Sequence, residues 1–162
     1  MASSSEVDIK AFSYDRKLLD DEVRILTVQP GEFGSAVYCT VSTETLANVL
    51  PYKALSYCWG EAALQDWIWL NEKRFDITRN VFGALQYLRM QKTPLRIWID
   101  ALCIHQDDIA EKNAQVQHMG QIYERASETI VWLGPSNPDF PDALDALVAS
   151  SKKSPTSQLL LA

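Results

Sequence analysis

A carboxylate at the end of a short apolar run is the first feature of this sequence that could do chemistry. The run Arg96–Ile99 is rich in β-forming residues and ends at Asp100, and a polar loop that contains Cys103, His105 and Gln106 follows it. Ligands of open α/β sheets bind at the carboxyl ends of strands. The sequence therefore predicts a ligand site at Asp100, with the three loop side chains as further contacts.

A second polar strand end precedes this one in the sequence. An apolar segment with the pattern of a central strand ends in Ser56, Tyr57, Trp59 and Gly60. Hydroxyl groups and aromatic rings at such an end supply hydrogen bonds and stacking surface. We expect these four residues to bind the same ligand as the polar loop described above, provided that the two strand ends lie side by side.

A strand–helix–strand unit positions the polar loop. After the loop, apolar residues recur at helical spacing at Ile109, Val116, Met119, Tyr123 and Ala126. A second apolar run, 129–133, follows this helix and is closed by a glycine and a proline. Two β runs joined by a long helix form a βαβ unit with parallel strands. The predicted fold is therefore α/β, with a mostly parallel central sheet and flanking helices.

Further strands are predicted before this unit. The segments 22–28 and 36–42 have strand patterns, and the Pro-Gly pair between them favours a hairpin. The segments 67–70 and 74–77 flank a short polar turn and are typical of a second, small β-hairpin inserted into the fold. Thr78 is a cap-type residue, which predicts that a helix begins directly after this hairpin.

The composition of the two ends sets the predicted domain boundaries. Residues 1–21 are polar and serine-rich, so we expect a loosely ordered N-terminal arm. Residues 22–150 form the predicted domain. Residues 151–162 begin as a polar, linker-like tail and end in an apolar run, so we expect that the chain is the N-terminal part of a longer protein.

The charge balance disfavours two classes of partner. The 162 residues carry a formal net charge of −6, which opposes non-specific binding to nucleic acid or to acidic membranes. The sequence has no secretion-signal pattern and no apolar run long enough to span a bilayer. We therefore predict a cytoplasmic protein whose partners are proteins or further copies of the chain.

The cysteines predict neither a disulfide framework nor a metal site. Cys39, Cys58 and Cys103 are scattered and odd in number. Cys103 and His105 are close enough in sequence to suggest zinc, but a zinc site needs a second pair of ligands with recognisable spacing, and the sequence lacks one. We interpret the cysteines as small buried thiols and expect no bound cofactor.

Three segments together resemble the fungal heterokaryon incompatibility (HET) domain. They are Ala54–Gly60, Leu95–Gln106 and Ile130–Gly134, in the family's order and at plausible spacing. The resemblance extends over about Tyr52–Gly134 and includes helix residues such as Glu111. Two positions depart from the family pattern: His105 stands where an asparagine is usual, and Glu61 where an aspartate is common.

The resemblance implies a role in fungal self/non-self recognition, in which HET proteins trigger programmed death of incompatible fused cells. HET domains also look like distant relatives of TIR domains, which implies a TIR- or flavodoxin-like three-layer fold. Some TIR domains hydrolyse NAD, so NAD is a candidate substrate, with Asp100 as the catalytic carboxylate. The alternative is a non-catalytic module that works by self-association, since fold alone does not fix function.

Each candidate residue also has a purely structural interpretation. Asp100 could cap its loop by accepting hydrogen bonds from backbone amides. Trp59 and Trp98 are typical core aromatics rather than stacking platforms. The segment Asp108–Glu111 matches a capping box, which predicts that Glu111 is a solvated carboxylate in the first turn of a helix. An acidic helix start is also a poor binding site for phosphates.

Overall fold

The computed structural model describes residues 11–58, 60, 63–134 and 157–160. Within them, eight strands form one sheet: β1 (Glu22–Val28), β2 (Tyr38–Thr45), β3 (Lys53–Tyr57), β4 (Leu64–Leu70), β5 (Lys73–Thr78), β6 (Leu95–Trp98), β7 (Glu128–Trp132) and β8 (Ser157–Leu160). The helices are α1 (Arg79–Leu88), α2 (Asp100–Cys103) and α3 (Ile109–Arg125). The mixed α/β fold predicted from the sequence is thus present.

The sheet is mixed, so the prediction of a mostly parallel sheet is wrong. The strand order is β5-β4-β2-β1-β6-β3-β7-β8. Strands β6, β3, β7 and β8 run parallel to one another, but β1 is antiparallel to both of its neighbours, and β4 to β5. Most paired residues belong to these antiparallel ladders. Short connections allow only antiparallel pairing, whereas parallel strands need long crossovers such as α3.

The predicted hairpin is present as β4 and β5. Its two-residue turn places Asn71 at φ 47° and Glu72 at φ 63°, the left-handed geometry of a type I′ turn. The Asn71 side chain accepts a hydrogen bond from the Val41 N–H at 3.0 Å. The hairpin is not a separate insertion, however, because β4 pairs in parallel with β2 and extends the main sheet.

The core lies on both faces of the sheet. Five residues of β1 are buried, on both sides of the strand, as expected for a central strand covered on each face. Trp98 is fully buried, and its ring packs edge-to-face on Tyr123 of α3, with 5.5 Å between the centroids. The interpretation of Trp98 as a core residue is therefore confirmed.

Helix α1 begins where the sequence predicts. The Thr78 side chain accepts a hydrogen bond from the Val81 N–H at 3.4 Å and so caps the helix. Val81, Ala84 and Leu85 then face the core. The cap fixes where the first turn of α1 lies relative to β5.

Helix α3 buries a face that hydrophobic periodicity predicts only in part. Met119, Tyr123 and Ala126 pack against the core as predicted. Ile109 and Val116 are 73% and 52% exposed, whereas Glu111, Gln115 and Ile122 are buried. The buried amide of Gln115 donates a hydrogen bond to the Glu22 carbonyl at 3.0 Å. Polar side chains can lie inward here because β1 supplies their hydrogen-bond partners. A pattern of hydrophobic residues alone cannot predict a buried face made of polar side chains.

Substitutions on α3 test this assignment of its buried face. Ile122→Ala should lower the free energy of unfolding by about 2–5 kcal/mol, since it leaves a cavity in the core. Val116→Ala should change it by less than about 0.5 kcal/mol, because that side chain is mainly in solvent. Urea unfolding measures both. A large loss from Val116→Ala with little loss from Ile122→Ala would contradict the helix orientation.

Candidate functional site

The carboxyl ends of β3 and β6 lie side by side and bring Tyr57 and Asp100 together. The two strands are neighbours, with Ala54 opposite Trp98. The Tyr57 hydroxyl and the Asp100 carboxylate lie close enough to interact electrostatically. Burial, and then the charge of Asp100, raise the pKa of Tyr57 far above its ordinary value of 10.0. Tyr57 is therefore neutral beside a carboxylate throughout the physiological pH range.

Asp100 is half-buried and also has a structural role. It is the first residue of α2, a single helical turn within the segment predicted as a loop. One carboxylate oxygen accepts a hydrogen bond from the Ala101 N–H at 2.7 Å. Its backbone carbonyl accepts one from the Gln106 side chain at 2.9 Å. Asp100 thus bonds a backbone amide, as its structural interpretation requires, while its carboxylate also faces Tyr57.

Ser56 contacts a tyrosine that sequence reasoning assigned to the core face of α3. The Tyr123 hydroxyl donates to the Leu55 carbonyl at 3.0 Å, and the neighbouring Ser56 side chain acts to lower the pKa of Tyr123. Burial, and then the charge of Asp100, raise the pKa of Tyr123 to about 12. Ser56, Tyr57, Asp100 and Tyr123 therefore form one polar cluster. Helical spacing predicted the inward position of Tyr123, but nothing in that spacing indicated its contact with Ser56.

The three loop residues have different environments. Cys103 is fully buried, its sulfur accepts from the Ile99 N–H at 3.5 Å, and burial raises its pKa to about 12. The His105 ring is half-buried and packs against Tyr14, with 4.8 Å between the centroids. The Gln106 side-chain oxygen is buried and has no hydrogen-bond partner among the described residues. Cys103 is thus a core thiol, whereas His105 and Gln106 lie near the surface.

The turn after β3 is described only in part. Gly60 is exposed and has φ 62°, a backbone conformation that favours glycine. Trp59, which was predicted to offer stacking surface, lies outside the described residues.

A cavity of about 320 Å³ opens beside the loop. His105 and Gln106 line it, and Asp100 is adjacent in sequence to a third lining residue. The full lining is Phe12, Ser13, Tyr14, Phe75, Ala101, His105, Gln106 and Asp107. Three aromatic rings and four polar side chains suit a small ring-containing ligand. No lysine or arginine is among these lining residues, so the cavity itself offers no cation to a phosphate.

A buried ion pair lies beneath the loop, where sequence reasoning predicted a solvated carboxylate. Glu111 is only 5% exposed, so that prediction is wrong. Its carboxylate pairs with the buried Arg24 guanidinium through two contacts, at 2.5 and 3.1 Å. It also accepts from the His105 N–H at 2.9 Å. The expected helix cap is formed by Asp108 alone, which accepts from the Ala110 and Glu111 N–H groups.

The ion pair also attaches the segment 12–18 to the domain. The Arg24 guanidinium donates to the Arg16 carbonyl at 2.7 Å and lies 4.4 Å from the centre of the Tyr14 ring. The Leu18 N–H donates to Glu111 at 3.3 Å. Because Tyr14 lines the cavity and its hydroxyl donates to the Leu102 carbonyl at 3.0 Å, this segment forms one cavity wall.

Neither a metal cluster nor a membrane-spanning helix is found in the part of the chain that the structure describes. No three His, Cys, Asp or Glu side chains there come together as metal ligands. None of the described helices is both long and apolar enough to cross a bilayer.

Comparison with known proteins identifies the family. The model of the heterokaryon incompatibility protein (HET) family matches residues 52–160. The chain belongs to the HET family. It is 34% identical, over 168 aligned residues, to heterokaryon incompatibility protein 6, OR allele, of Neurospora crassa. That alignment covers 91% of this chain and 25% of the relative, so the chain spans about a quarter of the relative's length. No solved structure matches the chain, so the proposed TIR-like fold has no structural neighbour in support.

The HET signature maps onto one edge of the sheet. Its three blocks in this chain coincide with the end of β3, with β6 and α2, and with the end of β7. These strands are consecutive in the order β6-β3-β7 and run parallel, so their carboxyl ends meet. Two of the blocks therefore supply Tyr57 and Asp100, and the third ends on the strand next to Tyr57.

Removing the buried carboxylate should destabilise this HET domain strongly. Glu111→Gln leaves the Arg24 cation buried without a counter-charge, which costs about 3–5 kcal/mol of unfolding free energy. Glu124→Gln, an exposed position on the same helix, is the matched control and should have little effect. Equal losses in denaturant unfolding would contradict a stabilising role for the pair.

The same pair should make stability depend on acid pH. Burial acts to raise the pKa of Glu111, but the hydrogen bonds and charge of Arg24 outweigh it and hold the pKa below the ordinary 4.5. Glu111 therefore binds a proton more readily in the unfolded chain than in the folded one. The stabilisation by the ion pair is complete above pH 4.5 and is lost as the pH falls through the pKa of Glu111 in the folded state. The stability gap between wild type and Glu111→Gln should narrow below pH 4.5. A gap that stays constant with pH would contradict this.

Proposed function

We propose that this chain is the HET domain of a fungal incompatibility protein that acts in self/non-self recognition in the cytoplasm. In this role it triggers programmed death when incompatible cells fuse. Family membership supports the proposal, together with the name of the Neurospora crassa relative. The observation that carries it is the meeting of Tyr57 and Asp100, from two of the three signature blocks, at adjacent strand ends, since function depends on the residues of a site rather than on the fold.

The first proposed mechanism is cleavage of NAD at this centre. Hydrolysis of the bond between nicotinamide and ribose passes through an oxocarbenium-like state, which a nearby carboxylate stabilises. Asp100 supplies a carboxylate at a strand end, next to Tyr57. The adjacent cavity supplies aromatic walls and the polar groups of His105 and Gln106 for a ring. In this scheme nicotinamide leaves with the electron pair of its bond to ribose, and Asp100 stabilises the positive charge that develops on the ribose ring. Water then adds to the ribose carbon and releases its proton to solvent.

A non-catalytic mechanism is the alternative, and one observation favours it. The described residues that line the cavity beside Asp100 include the acidic Asp107 and neither a lysine nor an arginine. NAD carries two phosphates, which are usually bound by cations or by helix N-termini free of acidic residues. In the alternative, the cluster holds the loop in shape, and the domain signals by binding proteins or other copies of itself.

Charge-removing substitutions separate the two mechanisms. Asp100→Asn keeps the size of the side chain and removes its charge, so NAD cleavage should fall by at least about 100-fold. The matched control is Glu124→Gln, an exposed carboxylate on α3 that is not among the residues lining the cavity, which should retain activity. Nicotinamide release by the purified protein and killing of the fungal host cell are measured in parallel, with folding checked by thermal unfolding.

The two mechanisms predict different results in the nicotinamide-release and killing assays. Loss of both nicotinamide release and killing in a folded Asp100→Asn variant supports the catalytic mechanism. Killing that persists in that variant, with no nicotinamide released even by wild type, rejects catalysis and supports the self-association alternative. If wild type does not kill under any expression level, the incompatibility role of this chain by itself is wrong.

A further inference from the structure

A second cavity, of about 360 Å³, lies away from Asp100 on the side of α1. Its lining is mainly apolar and comes from β4 and the residue before it, from α1 and from the end of β7. The lining residues are Ala63, Gln65, Arg79, Asn80, Gly83, Tyr87 and Trp132. It shares none of these residues with the cavity beside the loop, and it plays no part in the function proposed above.

Aromatic rings form one side of this cavity and continue onto the surface. The Tyr87 ring lies 5.4 Å from the Trp132 ring, and Phe33 lies 5.0 Å from Tyr87 on the other side. Phe33 and Tyr87 are 66% and 48% exposed. A row of rings that leaves this much aromatic surface in water offers a stacking face to a flat ligand.

A glycine in the middle of α1 keeps the cavity open. A Cβ added at Gly83 would meet only the Trp132 ring, at an ordinary contact distance of 3.7 Å. Helix packing therefore does not require glycine at this position, although glycine weakens a helix relative to alanine. A larger residue at position 83 would fill the space above the Trp132 ring.

Two hydrogen bonds fix the position of the Trp132 ring. The Trp132 indole N–H donates to the Asn80 side-chain oxygen at 2.8 Å. The Asn80 amide donates in turn to the Cys58 carbonyl at 2.5 Å. The cavity wall is thus held by hydrogen bonds between α1, β7 and the end of β3, and it is preformed for a ligand.

The polar side of the cavity is positively charged. The Arg79 side chain is 79% exposed, and its contact with the Asp66 carboxylate is long, at 3.8 Å. Arg79 begins α1, whose first turn contains no acidic residue, so the positive end of the helix dipole adds to its charge. Among the described residues that line this cavity, Arg79 alone is charged, and its guanidinium is available to an anion.

We propose that this cavity binds a planar aromatic compound that carries a negative charge. The ring occupies the space above Gly83 and stacks on Tyr87, and the anionic group pairs with Arg79. Aromatic carboxylates and sulfonates share this chemistry with nucleoside monophosphates, in which the ring and the anion are farther apart.

Fluorescence titration with 8-anilinonaphthalene-1-sulfonate, a planar ring system with one anionic group, tests the proposal. Wild type should bind one molecule per chain. Gly83→Leu fills the space above the Trp132 ring and should weaken binding by at least about tenfold. Gly120→Leu, at a helical glycine of α3 with open space around its Cβ position, is the matched control and should leave binding unchanged.

The charge requirement is tested separately. Arg79→Gln should weaken binding of the sulfonate about tenfold, because a charge-assisted contact is lost, but should leave the neutral analogue N-phenyl-1-naphthylamine unaffected. Displacement of the bound dye by benzoate or by AMP, with adenosine as the uncharged control, distinguishes the two ligand sources. Thermal unfolding checks the fold of each variant, and Tyr87→Ala replaces Gly83→Leu if the latter does not fold.

Two results would overturn the proposal. Equal dye binding by wild type, Gly83→Leu and Tyr87→Ala would show that the dye binds elsewhere on the surface. An equal response of the charged and neutral dyes to Arg79→Gln would show that the site has no preference for anions, as expected if this apolar surface docks a protein instead.

Discussion

The buried ion pair between Arg24 and Glu111 is the interaction on which the rest of this structure depends. Removing two charges from water costs several kcal/mol for each ion, and the cost is offset only when the remaining donors and acceptors are satisfied. Here they are satisfied by backbone groups. Arg24 bonds the carbonyls of Cys103 and Arg16, and Glu111 bonds the N–H groups of His105 and Leu18. The pair therefore fixes two irregular segments that have little secondary structure of their own.

This constraint reaches the candidate site through the loop after β6. The ion pair fixes the backbone at Cys103 and His105, so the chain between α2 and α3 has little conformational freedom. The Gln106 side-chain amide then donates a hydrogen bond to the Asp100 carbonyl. Asp100 in turn meets Tyr57 at the end of the neighbouring strand. A polar cluster at a sheet edge thus takes its shape from an ion pair deeper in the domain, and the segment 12–18 closes its cavity through the same pair.

Local features of the fold were predictable from the sequence because they depend on nearest neighbours. The capping roles of Thr78 and Asp108 follow from side-chain chemistry at helix starts, and the turn at Asn71 follows from the need for positive φ. The order and direction of strands were not predictable in the same way. That β1 lies between β2 and β6, antiparallel to both, is a long-range outcome that no local pattern encodes.

In the candidate site, too, the local features were predictable from the sequence and the long-range contacts were not. A carboxylate at a strand end is visible in the sequence, and the meeting of Tyr57 with Asp100 follows once β3 and β6 are neighbours. The burial of Glu111 could not be predicted from the sequence. An acidic residue in the first turn of a helix gives the same sequence pattern whether it faces water or a buried arginine on a distant strand. Its partner, Arg24, lies 87 positions away and sits within an apolar strand, where its charge gave no indication of a contact.

The two cavities have opposite electrostatic character, and this follows from where each lies in the sheet. The cavity beside Asp100 is lined by Asp107, from the loop before α3, whereas the cavity on α1 is lined by Arg79, at a helix start without acidic residues. Both lie close to the end of β3, since Tyr57 lies beside Asp100 and the next carbonyl, that of Cys58, accepts from Asn80. A change in the turn after β3 would therefore alter the walls of both cavities. The first HET signature block ends at this turn, so the polar cluster of Tyr57 and Asp100 and the cavity on α1 share one backbone support.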